Sequence, residues 1–234
     1  MNEKRVNVDD GSIVLVDHMG DDLAVVNAAR VSFGKTSHTL EERDHKLIRY
    51  LAEHRHMSPF RHVVFKFTLE DISEVVIRQL FRHQVGCAYT SNEFREVATV
   101  WNEISGRYVE FEPAFHTPGL FRKQHKNNKQ ASVEGESVDD NEAAMSVYNE
   151  AVKQAYDAYR KLLDLGVCRE QARMVMPLCF KTSVMWTVSL EALAHFIKLR
   201  DHEGAQLEIR NLAQALDGLA RPLAPVSLAA LLSD

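Results

Sequence analysis

The sequence predicts a single α+β domain in which helices pack against an antiparallel sheet. Two stretches, residues 63–69 and 182–188, alternate apolar with polar or smaller side chains, as half-buried strands do. Around them lie stretches whose apolar residues recur at helical spacing and which begin with good N-cap residues. Because isolated strands are mixed with helices and short reversals, the order of elements favours an α+β fold.

The first predicted elements are a short strand and two helices. Residues 13–16, Ile-Val-Leu-Val, are apolar and mostly β-branched, which is typical of a strand. Asp21 is placed to cap a helix that runs through residue 29. Thr39, with Glu42 three residues later, has the pattern of a capping box and predicts a second helix through Leu51.

The middle of the chain combines a strand, a helix and a polar loop. After the strand over 63–69, Ser73 caps a helix that ends near residues 82–83. Residues 109–111 predict a further strand. Residues 116–140 are rich in Lys, Asn, Gln, Ser and Gly, and therefore predict a mobile loop.

The last third is predicted to be mainly helical. Apolar residues between 144 and 162 recur at helical spacing, and Gly166 ends that helix. Four elements follow: a short helix with Arg169 and Arg173, the strand over 182–188, a helix from Ser189 to Arg200, and a helix through 212–219.

Composition narrows the class of protein. A hydrophobic content of 45% and a charged content of 26% are those of a soluble globular domain. The net charge of −5 argues against general nucleic-acid binding, and no apolar run approaches the ~20 residues of a membrane span. Residues 1–5 lack the apolar segment of a signal peptide, and the three cysteines form no CxxC pair. We therefore expect a cytoplasmic protein with reduced thiols.

Two polar fragments predict a ligand site. Residues 78–84, Arg-Gln-Leu-Phe-Arg-His-Gln, place two arginines, a glutamine and a histidine near a helix end. Residues 101–108, Trp-Asn-Glu-Ile-Ser-Gly-Arg-Tyr, crowd an amide, a carboxylate, a hydroxyl and a guanidinium around a glycine. Arginine forks bind phosphate, and amide and carboxylate groups can satisfy the edge of a heterocycle. Together the fragments predict a pocket for an anionic molecule with a polar ring, such as a nucleotide.

Structural explanations compete with this interpretation. Cations near a helix C-terminus, such as Arg82 and His83, favour the helix dipole without any ligand. His54 and His56 have metal-like spacing, but no carboxylate or cysteine lies beside them at ligand spacing. Arginines four residues apart usually mark a solvated helix face, as at Arg169 and Arg173.

Both fragments resemble the signature of the flavin-dependent thymidylate synthases, which is Arg-His-Arg, seven residues, then Ser. Residues 102–108 match the family's Asn-Glu-x-Ser-Gly-Arg-Tyr element completely. The chain departs from the signature at Gln84, which replaces the second Arg, and twenty residues separate Gln84 from Ser105. Residues 91–95, Ser-Asn-Glu-Phe-Arg, lie nearer the expected spacing but lack the Gly-Arg-Tyr ending, so residues 86–98 are assigned as an insertion. The resemblance extends from Val14 to Leu216.

The resemblance implies roles for individual residues. Arg200, which would polarise the uracil ring through a ring carbonyl, is the expected catalytic residue. The expected nucleotide contacts are Gln79, Arg82, Glu103, Ser105, Gly106, Arg107, Arg173 and Arg200. The expected flavin contacts are His56, Ser58, Arg82, His83, Gln84, Asn102, Ser189 and His195.

The chain also differs from the family in the charge of several residues near the expected flavin contacts. Arg61 stands where the family often has an acid, so the local charge is reversed. Glu191 and Gly204 stand where Arg and His are commoner, and Gln84 cannot supply the charge of the arginine it replaces. These changes indicate a divergent member of the family.

The implied reaction is reductive methylation of dUMP at C5. FAD would be the cofactor, with NADPH and 5,10-methylenetetrahydrofolate as co-substrates, and the chain would form a homotetramer without a metal ion. Ser105 is interpreted as a binding hydroxyl, because no base is paired with it in the sequence.

Three alternatives remain at the level of sequence. On the same fold, the chain could methylate UMP in specialised nucleoside metabolism. Scattered Asp-His pairs at 17–18, 44–45 and 201–202 leave open a metal-dependent nucleotide phosphohydrolase. A non-catalytic helical regulator that binds nucleic acid is disfavoured by the acidic balance and by the lack of a basic stripe.

Overall fold

The computed structural model describes residues 4–83 and 101–233. Its strands, in chain order, are β1 Lys4–Val8, β2 Gly11–Met19, β3 Val64–Ser73, β4 Trp101–Glu103, β5 Arg122–Gln124, β6 Ser132–Ser137 and β7 Lys181–Ser189. Within the described residues the main sheet has five strands in the order β1-β2-β3-β7-β4, and every neighbouring pair is antiparallel. The predicted α+β fold with an antiparallel sheet is confirmed.

Helices surround this sheet. They are α1 Asp22–Arg30, α2 Glu42–Glu53, α3 Glu74–Leu80, α4 Asn141–Asp164, α5 Arg169–Ala172, α6 Leu190–Arg200, α7 Leu207–Ala220 and α8 Pro225–Leu232. Short 3-10 turns cover Val31–Phe33, Ser58–His62 and Arg173–Val175. None of the helices in the described part of the chain is long and apolar enough to cross a membrane.

The core joins the two central strands to the helix that follows β7. On β3, Phe65, Phe67 and Leu69 have no exposed surface, as the alternating pattern predicts. Trp186 on β7 is equally buried, and its ring lies 5.9 Å from that of Phe196 on α6. Burial of such large apolar side chains is the main force that fixes α6 against the sheet.

Two predicted N-caps are present. The side chain of Asp21 accepts a hydrogen bond from the Ala24 N–H at 3.0 Å, and α1 begins there. The hydroxyl of Ser189 accepts one from the Ala192 N–H at 3.2 Å at the start of α6. Each bond satisfies a backbone donor that the first turn of a helix leaves without a partner.

The predicted capping box of α2 was misplaced. The helix begins after Glu41 and not at Thr39, because the Glu41 N–H donates to the Asp44 carboxylate at 2.9 Å. Asp44 is fully buried and is ion-paired with Arg30 of α1. A contact between two helices therefore selects this cap over the local Thr39 pattern.

Ser73 precedes α3 as predicted, but its side chain does not cap the helix. Both its hydroxyl and its backbone N–H donate to one oxygen of buried Asp10, the latter at 2.9 Å. The other Asp10 oxygen lies 2.9 Å from Nδ1 of buried His116. This cluster of Asp10, Ser73 and His116 ties the β1–β2 turn to the start of α3.

Two predictions about the middle of the chain need correction. Residues 109–111 are not a strand, because the Tyr108 and Val109 N–H groups turn back to the Ser105 carbonyl at 2.9 and 3.2 Å. The strand in this region is β4, which pairs with β7. Residues 116–140 contain the β5–β6 pair where a loop was predicted, and the mobility of that segment stays a prediction. The proposed insertion at 86–98 lies outside the described residues.

Helix α8 was not predicted. Its first turn has no cap from a nearby side chain. Instead, the buried carboxylate of Asp22 accepts hydrogen bonds from the N–H groups of Val226 and Ser227 at 2.9 and 2.8 Å. The cap comes from a residue more than 200 positions away, so no local pattern could reveal it.

Candidate active site

The first group of predicted site residues lies where α3 and α6 end. Arg200 Nε, on the last residue of α6, donates to His83 Nε2 at 2.8 Å. The buried His83 ring also stands edge-on against Phe196, with 4.9 Å between ring centres. Arg82, beside His83, is exposed. The structure thus brings together the predicted catalytic arginine and two predicted flavin contacts.

His83 is held as a neutral imidazole. Burial, assisted by the nearby Arg200 and His195, lowers the pKa of His83 to about 4. A neutral ring can accept a hydrogen bond at Nε2, and that is the atom to which Arg200 donates. Burial also lowers the pKa of Arg200, although a guanidinium keeps its charge in proteins. The pair therefore presents an oriented cation.

This shift predicts a pH dependence of stability. In the unfolded chain His83 titrates at its ordinary value, so between about pH 6.5 and pH 4 the unfolded state binds more protons than the folded state. The free energy of unfolding should fall as the pH decreases through that window, by at most about 3 kcal/mol from this group. Denaturant titrations at several pH values measure the slope. His83→Gln should flatten it, whereas His18→Gln, at an exposed position on β2, should not. Equal slopes for native protein and His83→Gln would contradict the assignment.

Gln79 is oriented by two hydrogen bonds, one of them to Gln206, the residue that precedes α7. Its side-chain N–H₂ group donates to the Gln206 side-chain oxygen at 2.8 Å and to the Val75 carbonyl at 3.2 Å. Gln206 was not predicted as part of the site. It lies two residues after Gly204, which was noted as a departure from the family, but nothing in the local pattern identified Gln206.

The second group surrounds a cavity of about 520 Å³ beside α3. Glu103 of β4 and Arg173 line this cavity, as do Arg78, which belongs to the predicted site fragment 78–84, and Glu74, for which no role was predicted. The i, i+4 spacing from Arg78 on α3 is the signal that could have identified Glu74. Gln79 follows Arg78 directly in α3 but points about 100° further around the helix, and it does not line this cavity.

The carboxyl group of Glu103 is strongly influenced by its neighbours. It accepts a hydrogen bond from the Thr182 hydroxyl at 2.9 Å. Desolvation, together with the adjacent Glu74 carboxylate, raises the pKa of Glu103, while Thr182 and Arg173 oppose the shift. Acidic and basic groups thus both line the cavity, which suits a ligand with an anionic end and hydrogen-bonding edges.

The Ser-Gly-Arg turn connects this cavity to a second cleft. The Ser105 hydroxyl accepts a hydrogen bond from the Arg107 N–H at 3.3 Å. A Cβ atom at Gly106 would lie 2.3 Å from the Phe111 ring, so only glycine fits. Arg107 is exposed, with its guanidinium 5.6 Å from the Tyr108 ring centre, and it lines a separate cleft of about 450 Å³.

The third group forms the predicted flavin side. His56 and Ser58 are exposed where α2 ends and the 3-10 turn Ser58–His62 begins. Ser189 caps α6, and His195 lies in the same helix. Asn102 is exposed on β4, and Gln84 lies outside the described residues.

On this side, Arg61 and Glu191 differ in charge from the residues usual in the family, and they form an ion pair with each other. Arg61 Nη2 donates to Glu191 Oε1 at 3.2 Å, and Arg61 Nε donates to Glu191 Oε2. Arg61 and Glu191 lie 130 positions apart in the chain, so their contact is visible only in the folded structure. The reversed charge at position 61 is therefore balanced within the chain.

The Asp-His pairs do not form a metal centre within the described residues. No group of three or more His, Cys, Asp and Glu side chains there is arranged to hold a metal ion. Asp44 is instead paired with Arg30, and Asp201 accepts a hydrogen bond from Gln214 at 2.7 Å. The phosphohydrolase alternative gains no support from this part of the chain.

The fold and these sites define an α+β protein with polar, arginine-rich clefts suited to a nucleotide. The family model described as thymidylate synthase complementing protein matches residues 14–226, and the chain belongs to that family. It is 45% identical to a flavin-dependent thymidylate synthase of Thermus thermophilus over 223 residues, which are 95% of this chain and 76% of the relative. It is 39% identical to that of Kosmotoga olearia, over 95% of this chain and 90% of the relative.

Solved structures of similar fold agree. The UMP/dUMP methylase PolB from Streptomyces cacaoi, bound with 5-Br dUMP, matches with a TM-score of 0.77 and 31% identity over 97% of this chain and 94% of PolB. The same protein bound with 5-Br UMP matches with a TM-score of 0.76 and 32% identity, over 98% and 94%. The predicted family, fold class and type of enzyme, a flavin-dependent thymidylate synthase-like methyltransferase, are confirmed.

Proposed function

We propose that this chain catalyses reductive methylation of dUMP at C5, with methylenetetrahydrofolate as carbon donor and reduced FAD as hydride source. NADPH would reduce the flavin. The observation that carries the proposal is Arg200, an oriented guanidinium bound to neutral His83 and set among the residues that match the family signature. The high identity to named flavin-dependent thymidylate synthases supports it.

The donor groups beside α6 fit a flavin nucleotide. Arg82 is an exposed guanidinium suited to a phosphate, and His56 and Ser58 are exposed polar groups suited to phosphate or ring edges. His195 lies on α6 close enough to lower the pKa of His83. FAD, when bound, supplies the hydride chemistry, while the protein supplies binding and orientation.

The chain's own residues account for activation of the uracil ring. Uracil C5 is a poor nucleophile, so methylation requires negative charge to build up on the ring. The Arg200 guanidinium at a ring carbonyl stabilises that charge, and its preorganisation by His83 reduces the reorganisation needed during the reaction. Arg173 and Glu103 hold the nucleotide by its phosphate and polar edges, which restricts its orientation.

Tritium release tests the proposal. Proton loss from C5 follows methylene transfer, so dUMP labelled at C5 should release tritium only when FAD, NADPH and methylenetetrahydrofolate are all present. Omission of each component in turn is the control. Release from neither dUMP nor UMP, with flavin bound, would overturn the proposed reaction.

The alternative substrate is UMP. It is favoured by one observation, the similarity to PolB, which is described as a UMP/dUMP methylase. The same assay with labelled UMP separates the two, because a comparable rate from UMP would assign the chain to uridylate methylation. A strong preference for dUMP would assign it to synthesis of a DNA precursor.

We propose further that the chain acts in the cytoplasm as a homotetramer whose active sites combine residues from several subunits. Two features support this arrangement. The proposed nucleotide contacts form two groups: one lies where α3 and α6 end, with Arg200, and the other lines the 520 Å³ cavity, with Glu103 and Arg173. Large apolar side chains beside the second group are exposed, with Tyr108 76% and Met174 79% accessible. Exposed apolar surface of this kind commonly marks an interface.

A further inference from the structure

The ion pair between Arg61 and Glu191 joins two elements of the flavin side. Arg61 belongs to the 3-10 turn Ser58–His62, and Glu191 lies in the first turn of α6. Two guanidinium nitrogens face the two carboxylate oxygens, which gives the paired geometry that fixes both direction and distance. Such a contact restrains the turn more than a single hydrogen bond would.

Burial makes this pair more than a surface contact. The Glu191 side chain is 11% exposed and that of Arg61 is 47% exposed. Removal of Arg61 would leave a largely buried carboxylate without this partner, and a buried charge that loses its partner is strongly destabilised. The α6 N-terminus, where Glu191 lies, favours a negative charge, so the carboxylate is well placed for its part in the pair.

The ion pair is connected to the proposed catalytic residues through α6. Glu191 and His195 are four residues apart and therefore lie on the same side of α6. His195 is close enough to influence the pKa of His83, which in turn accepts the hydrogen bond from Arg200. The turn that carries Ser58, and follows His56, is thus connected through Glu191 to the helix that carries Arg200.

A backbone contact docks the other end of the turn. The Leu190 N–H donates to the Val63 carbonyl at 2.8 Å, directly after the 3-10 turn. The backbone bond fixes the exit of the turn, and the ion pair holds Arg61, the fourth of its five residues. The fully buried Phe60 side chain also anchors the turn in the core, and the ion pair adds a polar restraint between the turn and α6.

We propose that Arg61 and Glu191 are positioning residues, whose ion pair holds the His56–Ser58 segment against α6 in the arrangement that binds flavin. This inference rests on the proposed function, because it concerns the flavin of the same site. In this role Arg61 and Glu191 hold each other in place, and neither contacts the substrate directly.

A charge-reversal cycle tests the inference. Arg61→Glu and Glu191→Arg each replace attraction by repulsion and should weaken FAD binding about tenfold or more, whereas the double variant restores an ion pair and should bind FAD within about threefold of the native protein. FAD affinity is measured by fluorescence quenching on flavin-free protein. Thermal unfolding and circular dichroism of the same samples report on folding.

Milder variants and a control pair keep the test decisive. If a reversed charge prevents folding, Arg61→Gln and Glu191→Gln remove the attraction without introducing repulsion, and each should still weaken FAD binding. The Arg5–Glu70 pair between β1 and β3 is the matched control, since Arg5 has a side-chain exposure of 48%, close to the 47% of Arg61. Glu70→Gln should leave FAD affinity unchanged.

Two results would overturn the inference. Single variants that unfold at lower temperature but bind FAD with native affinity would show that the pair serves stability alone. A double variant as weak as the worse single variant would show that Arg61 acts through its own charge and not through Glu191. Failure of the native protein to bind FAD would instead refute the proposed function, and the two failures are therefore distinguishable.

Discussion

Replacement of Arg200 by alanine is expected to reduce tritium release from C5-labelled dUMP by about 10²- to 10³-fold, the usual cost of losing one preorganised charge-stabilising donor. Arg200 is the last residue of α6, and its Nε is already bound to His83, so the guanidinium is positioned before the substrate arrives. The loss should appear in kcat, because the charge that Arg200 stabilises develops only during the reaction.

Lys198→Ala is the matched control for this prediction. Lys198 is an exposed cation in the same last turn of α6, and its ammonium donates to the Ser233 carbonyl at 3.0 Å. Its loss should leave tritium release close to native. Arg200→Lys keeps the charge but lacks Nε, so it should recover only part of the activity. Tritium release by Arg200→Ala within a few-fold of native would remove Arg200 from its catalytic role.

Replacement of Arg173 by alanine is expected to weaken dUMP binding by about 10- to 100-fold, since a charge-assisted contact contributes roughly 1.5–3 kcal/mol. Arg173 lines the cavity that also contains Glu103, and its proposed partner is the nucleotide phosphate. Reduction of bound flavin by NADPH should be nearly unchanged, because the flavin-side residues lie on other elements. Calorimetric titration with dUMP and stopped-flow absorbance of the flavin measure the two quantities.

Arg169→Ala provides the comparison for Arg173. Arg169 lies four residues earlier, in α5, and is held by the Glu110 carboxylate at 3.4 Å. This variant should bind dUMP nearly as the native chain does. An unchanged dUMP affinity in Arg173→Ala would exclude that arginine from the nucleotide site.

A mixture of the Arg200→Ala and Arg173→Ala variants, assayed at a low dUMP concentration, tests the proposed assembly. If a site takes Arg200 from one subunit and Arg173 from another, roughly one site in four of a randomly mixed tetramer carries both native arginines. Co-refolding of Arg200→Ala with Arg173→Ala should therefore restore part of the activity that each variant lacks. No recovery, although light scattering shows mixed tetramers, would contradict a shared site.

The sequence was sufficient to locate those parts of the site whose residues lie close together in the chain. The Ser-Gly-Arg turn could be located from residues 102–108. The structure adds an independent reason why position 106 is a glycine, because the Phe111 ring leaves no room for a side chain there. Arg82, His83 and Arg200 could be placed at helix ends from periodicity and caps alone. The place of Glu74 in the cavity lining was missed, because an i, i+4 pair on a helix is usually only a solvated contact.

By itself, the sequence determined the central strands, the caps at Asp21 and Ser189, and the family motifs, because these depend on residues a few positions apart. Only the tertiary structure decided which distant groups meet: Asp22 with the start of α8, Ser73 with Asp10, and Arg61 with Glu191. It also decided that His83 is neutral, since burial and the nearby Arg200 set its pKa. Local patterns report backbone preference and periodic burial, whereas these contacts and this pKa depend on the topology that brings separate elements together.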